Sequence, residues 1–179
     1  MGVLLDADDY FRLTPPDSHG WELIGGALVV SPKPTVRHQR LAKRLLRALL
    51  VLEDAGLGEV LGEVNDVLSE HDVLEPDLVF VRAGRAEIVE PHAVVGAPDL
   101  VIEILSPSTR ARDLRDKRRL YARAGVPCYW TVDPDGDRID VRRLQGAGYR
   151  RALVFRPPQV LTLDEFPGLR VDLTALFAR

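Results

Sequence analysis

Three residues in this 179-residue chain combine a type and a setting that can carry chemistry. Asp77 follows Pro76 at the mouth of the apolar run Leu78-Val79-Phe80-Val81, and Glu103 interrupts the run Leu100-Val101-Ile102-Glu103-Ile104-Leu105. Lys117 lies between Asp113 and Tyr121 at i, i+4 and i+8, a spacing that sets the three on one face of a helix. A carboxylate in the middle of an apolar strand needs a partner or a metal, because an unpaired buried charge is very costly. Two carboxylates from neighbouring strands can hold a hard cation such as Mg²⁺ or Mn²⁺, which prefers oxygen ligands and keeps waters that a substrate phosphate can replace. A nearby lysine can orient or activate a metal-bound water and stabilise the charge that develops during phosphoryl attack. Plainer readings exist for each residue alone. Asp77 could cap a turn after Pro76, and Glu103 could form a buried ion pair with Lys117 or an arginine. Lys117 could sit on the surface, and Tyr121 could be a core aromatic with its hydroxyl at the rim. The combination is what points to a site.

The elements that must position these residues are legible from periodicity. Trp21 to Val30 reads as a hairpin about Gly25-Gly26, whose pair of glycines supplies the positive φ angles of a tight turn. Leucines 41, 45, 46, 49 and 52 recur at helical spacing and predict a helix from about Val36 to Ala55, stopped by Gly56. Strands are expected at Glu59 to Glu63, near Asp66 to Leu68 or Val73, at Asp77 to Val81 and at Leu100 to Leu105. Ser106-Pro107-Ser108-Thr109 offers hydroxyl caps for a helix running to about Ala124. A strand from Pro127 to Val132, a hairpin of Arg138 to Leu144 with Tyr149 to Phe155, and a C-terminal cap on the sheet edge complete the reading. The fold class is α/β, an α+β mixed sheet flanked by helices, in one domain spanning residues 1–179.

Composition narrows the function classes. The net charge of −3 argues against a dedicated nucleic-acid-binding module, although a local basic strip can coexist with an acidic total. Arg110, Arg112, Arg115, Arg118 and Arg119 form such a cluster, either a solvated helix face or a phosphate contact. The single cysteine, Cys128, excludes an internal disulfide framework and reads as a buried thiol. Neither a signal peptide nor a membrane span is visible, so the cytoplasm is expected.

Taken together, Trp21-Glu22-Leu23-Ile24 with Gly25-Gly26, His38, Pro76-Asp77-Leu78-Val79, Glu103 to Thr109, Asp113, Lys117, Tyr121 and Gly125 to Asp133 form a pattern over most of the chain. It resembles the PD-(D/E)XK nuclease superfamily, and within it the Uma-two branch of restriction-endonuclease-like proteins. The resemblance implies a restriction-endonuclease-like core and Mg²⁺- or Mn²⁺-dependent hydrolysis of nucleic acid, DNA being favoured. It also implies catalytic roles for Asp77, Glu103 and Lys117, with Asp77, Glu103 and the Ile104 carbonyl as metal ligands. Glu22 and His38, with Asp113 and Tyr121, are second-tier residues. A homodimer fits, since such folds often need two sites to cut a duplex. The chain departs from the pattern at Leu105, where a lysine two residues after Glu103 is expected, and Lys117 could supply that lysine from the next helix. Two other functions remain open: a nuclease-fold assembly module without turnover, and glycosidase-like acid/base hydrolysis, against which the aromatic content of 6% counts.

Overall fold

The structure is a computed structural model and describes residues 4–15 and 19–179. In chain order the elements are α1 (Ala7–Leu13), β1 (Trp21–Ile24), β2 (Ala27–Val30), α2 (Val36–Asp54), β3 (Gly58–Gly62), β4 (Asp66–Ser69), β5 (Asp72–Leu74) and β6 (Leu78–Arg82). A 3₁₀ segment (Ala83–Ile88) leads to β7 (Val94–Val95) and β8 (Leu100–Ile104). A continuous helix follows, made of α3 (Arg110–Arg112), a π-helical stretch (Asp113–Lys117) and α4 (Arg118–Ala124). The chain ends with β9 (Cys128–Asp133), β10 (Arg138–Gln145), β11 (Gly148–Tyr149), β12 (Leu153–Phe155), β13 (Val160–Leu161), β14 (Val171–Asp172) and α5 (Leu173–Phe177).

The larger sheet has the order β11-β10-β9-β8-β6-β3, with β12 also paired to β10. Its centre is β8, antiparallel to β6 and parallel to β9. The helix from Arg110 to Ala124 is the crossover that a parallel pair requires. All five residues of β8 are buried, which is why that stretch reads as a nearly unbroken apolar run.

Each face of this sheet has its own core. On one, α2 lays Leu41, Leu45, Leu49 and Leu52 against Phe80, Ile102 and Trp130. On the other, Val79, Val101 and Tyr129 meet Tyr121 of α4 and Leu74 of the second sheet. That second sheet, of order β2-β1-β5-β4-β7, begins with the expected hairpin, where Gly25 and Gly26 have φ of 57° and 76°.

Several expectations need correction. The C-terminal segment packs on a sheet face rather than an edge: Leu161, Phe166, Leu173 and Phe177 join the α2 core, and Phe166 sets its ring edge-on to Phe80 and Trp130 of the central strands. Tyr149 to Phe155 is two strands rather than one. The pairing passes from Leu144↔Tyr149 to Val141↔Leu153, so the returning strand carries one residue more than β10 and bulges. An unexpected helix, α1, is started by a capping box in which Asp6 and Asp9 each accept the other's backbone amide.

Candidate active site

Two adjacent strands deliver the carboxylates. In the β6–β8 register Leu78 faces Ile102, and one further step along that ladder sets Asp77 beside Glu103. Both line a cleft of about 450 Å³, together with His38, Glu22, Asp113 and Lys117. Asp77 is tied at both oxygens: Oδ2 accepts the Ile104 amide at 2.6 Å, and His38 Nε2 lies 3.2 Å from Oδ1. His38 comes from the first turn of α2, where Thr35 accepts the His38 amide and fixes the start of the helix. Burial disfavours the imidazolium, but the hydrogen bond and charge of Asp77, the Ile104 carbonyl and Glu63 outweigh it and raise the His38 pKa.

Glu103 Oε1 accepts two buried hydrogen bonds, from Lys117 Nζ at 2.8 Å and from the Tyr121 hydroxyl at 2.8 Å. Lys117 Nζ is also 2.7 Å from Glu22 Oε1 and 3.8 Å from Asp113 Oδ1. An α-helix turns about 100° per residue, so residues eight apart would lie about 80° around the axis from one another. The π-helical stretch from Asp113 to Lys117 widens that turn, and Asp113, Lys117 and Tyr121 are all buried on the site side. Glu22 reaches the cluster from β1, where its Oε2 pairs with Arg112 at 3.2 Å and its Oε1 accepts the Glu75 amide.

One buried ammonium thus faces three carboxylates. Burial alone would strip Lys117 of its proton, yet Glu103, Glu22 and Asp113 reverse this and hold its pKa well above the usual lysine value. Burial pushes Glu103 well above the usual carboxyl range; Lys117 opposes that shift, while Asp113, Asp77 and Glu22 add to it. Asp113 is raised by burial too, against Lys117 and a hydrogen bond from Thr109. Lys117 is therefore an ammonium held in place, not a ready proton acceptor.

Two participants were not singled out from the sequence. Arg112 supplies the second cation on Glu22, and its cue was only its place in an arginine cluster. Asp66 on β4 is fully buried, and among the described residues neither of its oxygens has a hydrogen-bond partner. Burial raises its pKa well above the normal value, with Lys117 acting in the opposite direction. Leu105, at the position of the expected lysine, is buried, and its amide bonds to the Val132 carbonyl.

The Uma2 family model, described as "Putative restriction endonuclease", matches residues 7–175. The chain belongs to the Uma2 family. A search of curated proteins finds no match. Among solved structures, a "putative nuclease belonging to DUF820 from Anabaena variabilis ATCC 29413" superposes with a TM-score of 0.81 at 21% identity. The superposition covers 97% of this chain and 98% of that one, and it shows a shared fold.

The donor set of this Uma2 chain suits a hard cation. Asp77 and Glu103 offer carboxylate oxygens, and both hydrogen bonds to Glu103 fall on Oε1, which leaves Oε2 for a ligand. The Ile104 carbonyl adds a third oxygen beside His38. Among the described residues no group of three or more His, Cys, Asp or Glu side chains is arranged as a metal cage.

Proposed function

We propose that this protein is a nuclease that hydrolyses phosphodiester bonds in nucleic acid, DNA being the favoured substrate, with Mg²⁺ or Mn²⁺ held by Asp77, Glu103 and the Ile104 carbonyl. The observation that carries this reading is the convergence of Asp77 and Glu103, from adjacent strands, on one cleft in which Lys117 is bonded to Glu103. When bound, the cation supplies Lewis acidity for a phosphate oxygen and a more acidic water. The protein's own groups do the positioning. The Ile104 amide and His38 lock the Asp77 carboxylate, while Lys117 and Tyr121 orient Glu103. Lys117, which stays protonated, contributes fixed positive charge beside the reacting phosphate and takes the place that Leu105 leaves empty of charge.

The competing reading is an assembly module without turnover, favoured by the three carboxylates that already claim Lys117. Nicking of supercoiled DNA, and cleavage of single-stranded DNA and RNA, should separate the two. Wild type should cut with Mg²⁺ or Mn²⁺ and stop with chelator. Asp77→Asn, which keeps an oxygen for the Ile104 amide, should fold normally and lose the activity. Absence of metal-dependent cleavage on all three substrates would reject the nuclease reading in favour of the module.

A further inference from the structure

The arginine cluster of the helix separates into two kinds once partners are assigned. Arg110 is paired with Asp133, Arg112 with Glu22, Arg115 with Asp116 and Arg123 with Asp72. Among the described residues, the Arg118 and Arg119 side chains have no hydrogen bond or ion pair, and both line a second cleft of about 640 Å³. Arg150 and Arg151 face the same cleft from the bulge between β11 and β12, and Arg142 of β10 lines it too. No Asp or Glu among the described residues lines it.

Four guanidinium groups without an acidic partner, those of Arg118, Arg119, Arg150 and Arg151, repel one another around this cleft, and an overall charge of −3 makes the concentration a local feature rather than a by-product of composition. Arg142 is anchored, donating to Thr131 Oγ1 at 3.0 Å and to Asp140 Oδ2 at 3.1 Å. The floor is aromatic. Tyr149 lines the cleft, its ring centroid lies 5.6 Å from that of Tyr129, and Tyr129 in turn lies 5.4 Å from Tyr121, the residue bonded to Glu103. A bulge is a common device for re-aiming side chains, and here it puts two exposed arginines opposite two from the helix. Planar guanidinium forks match phosphate oxygens in pairs, and a cleft of this size with four arginines free of acidic partners suits a run of phosphates rather than a single anion.

We infer that this arginine cleft is a nucleic-acid backbone site that holds a stretch of the strand away from the cleft of Asp77 and Glu103. The inference rests on the nuclease reading for its choice of polyanion, but it is tested separately. Binding of a labelled single-stranded DNA oligonucleotide is measured by fluorescence anisotropy in chelator across a range of salt concentrations, with RNA and pyrophosphate as further ligands. The triple variant Arg118→Ala/Arg119→Ala/Arg151→Ala should weaken oligonucleotide binding at least tenfold. It should also reduce the steepness of log K against log salt by about 2, at about 0.7 for each phosphate of a single strand that is no longer neutralised. Arg115→Ala, with the same kind of charge change on the same helix, should change neither quantity. Hydrolysis of bis(p-nitrophenyl) phosphate with Mn²⁺ should be equal in wild type and the triple variant, because that small ester needs only the metal cleft. Unchanged affinity and salt slope in the triple variant would overturn the inference. So would pyrophosphate or an acidic peptide competing on equal terms with the oligonucleotide. Arginine-dependent binding without metal-dependent hydrolysis of any ester would uphold the cleft and reject the nuclease reading.

Discussion

Replacing Lys117 by alanine should cost the fold about as much as it costs any reaction. Its ammonium is 2.7 Å from Glu22, 2.8 Å from Glu103 and 3.8 Å from Asp113, and its side chain is only 5% exposed. Breaking a buried pair by removing one partner costs about 3–5 kcal/mol, because the remaining charge is left without compensation. Glu22 keeps Arg112 and the Glu75 amide, so the loss falls mainly on Glu103 and Asp113, and a single such penalty is expected rather than three. For a chain of this size a loss of that order lowers Tm by roughly 6–20 °C. Urea and thermal unfolding, followed by the fluorescence of the buried Trp130, would measure it at pH 7.5 and pH 5. Without Lys117 the folded-state pKa values of these carboxyls rise further above their unfolded values. The deficit should then be greatest at neutral pH and shrink as pH falls towards the unfolded carboxyl pKa. The double variant Lys117→Met/Glu103→Gln, which removes a charge from each side, should recover at least half the loss. A Lys117→Ala penalty below about 1 kcal/mol at pH 7.5, well under that of a broken buried pair, would refute this reading of the cluster.

Further outcomes follow from individual contacts. Tyr121→Phe deletes one of two hydrogen bonds to Glu103 and should cost about 1.5–3 kcal/mol in urea unfolding, the range for bonds to charged groups; no loss would mean that the bond carries no weight. Burial raises the Asp66 pKa in the fold above its unfolded value, so its contribution is present below about pH 4 and fades as pH rises, by at most about 1.4 kcal/mol per unit. Asp66→Asn should thus gain on wild type between pH 4.5 and 7.5, the slopes from Glu103 and Asp113 being common to both proteins; parallel profiles would show Asp66 ionised in the fold. Mn²⁺ at a hundredfold excess over its Kd should stabilise wild type by about 2.7 kcal/mol in thermal unfolding, and Asp77→Asn should lose that gain. An equal gain in both would place the ion elsewhere.

What the sequence determined by itself was mostly local. Leucine spacing marks α2, the glycine pair turns the first hairpin, and the apolar run about Glu103 marks a central strand, because periodicity and φ preference act over a few neighbours. The resemblance carried by Asp77, Glu103 and their neighbours agrees with the family match over residues 7–175. Tertiary structure decided the rest. Glu22 and Lys117 are 95 residues apart in number, and only the docking of β1 against the π-helical turn brings them to 2.7 Å. The carboxylates packed around Lys117 decided that it keeps its proton against burial, and burial raised the Asp66 pKa, since both effects depend on what packs around a group and not on its neighbours in sequence. The arginines of the helix look alike in one dimension. Which of them are neutralised depends on where Asp133, Glu22, Asp116 and Asp72 fall in space, and on the extra residue that bulges Arg150 and Arg151 towards Arg118 and Arg119.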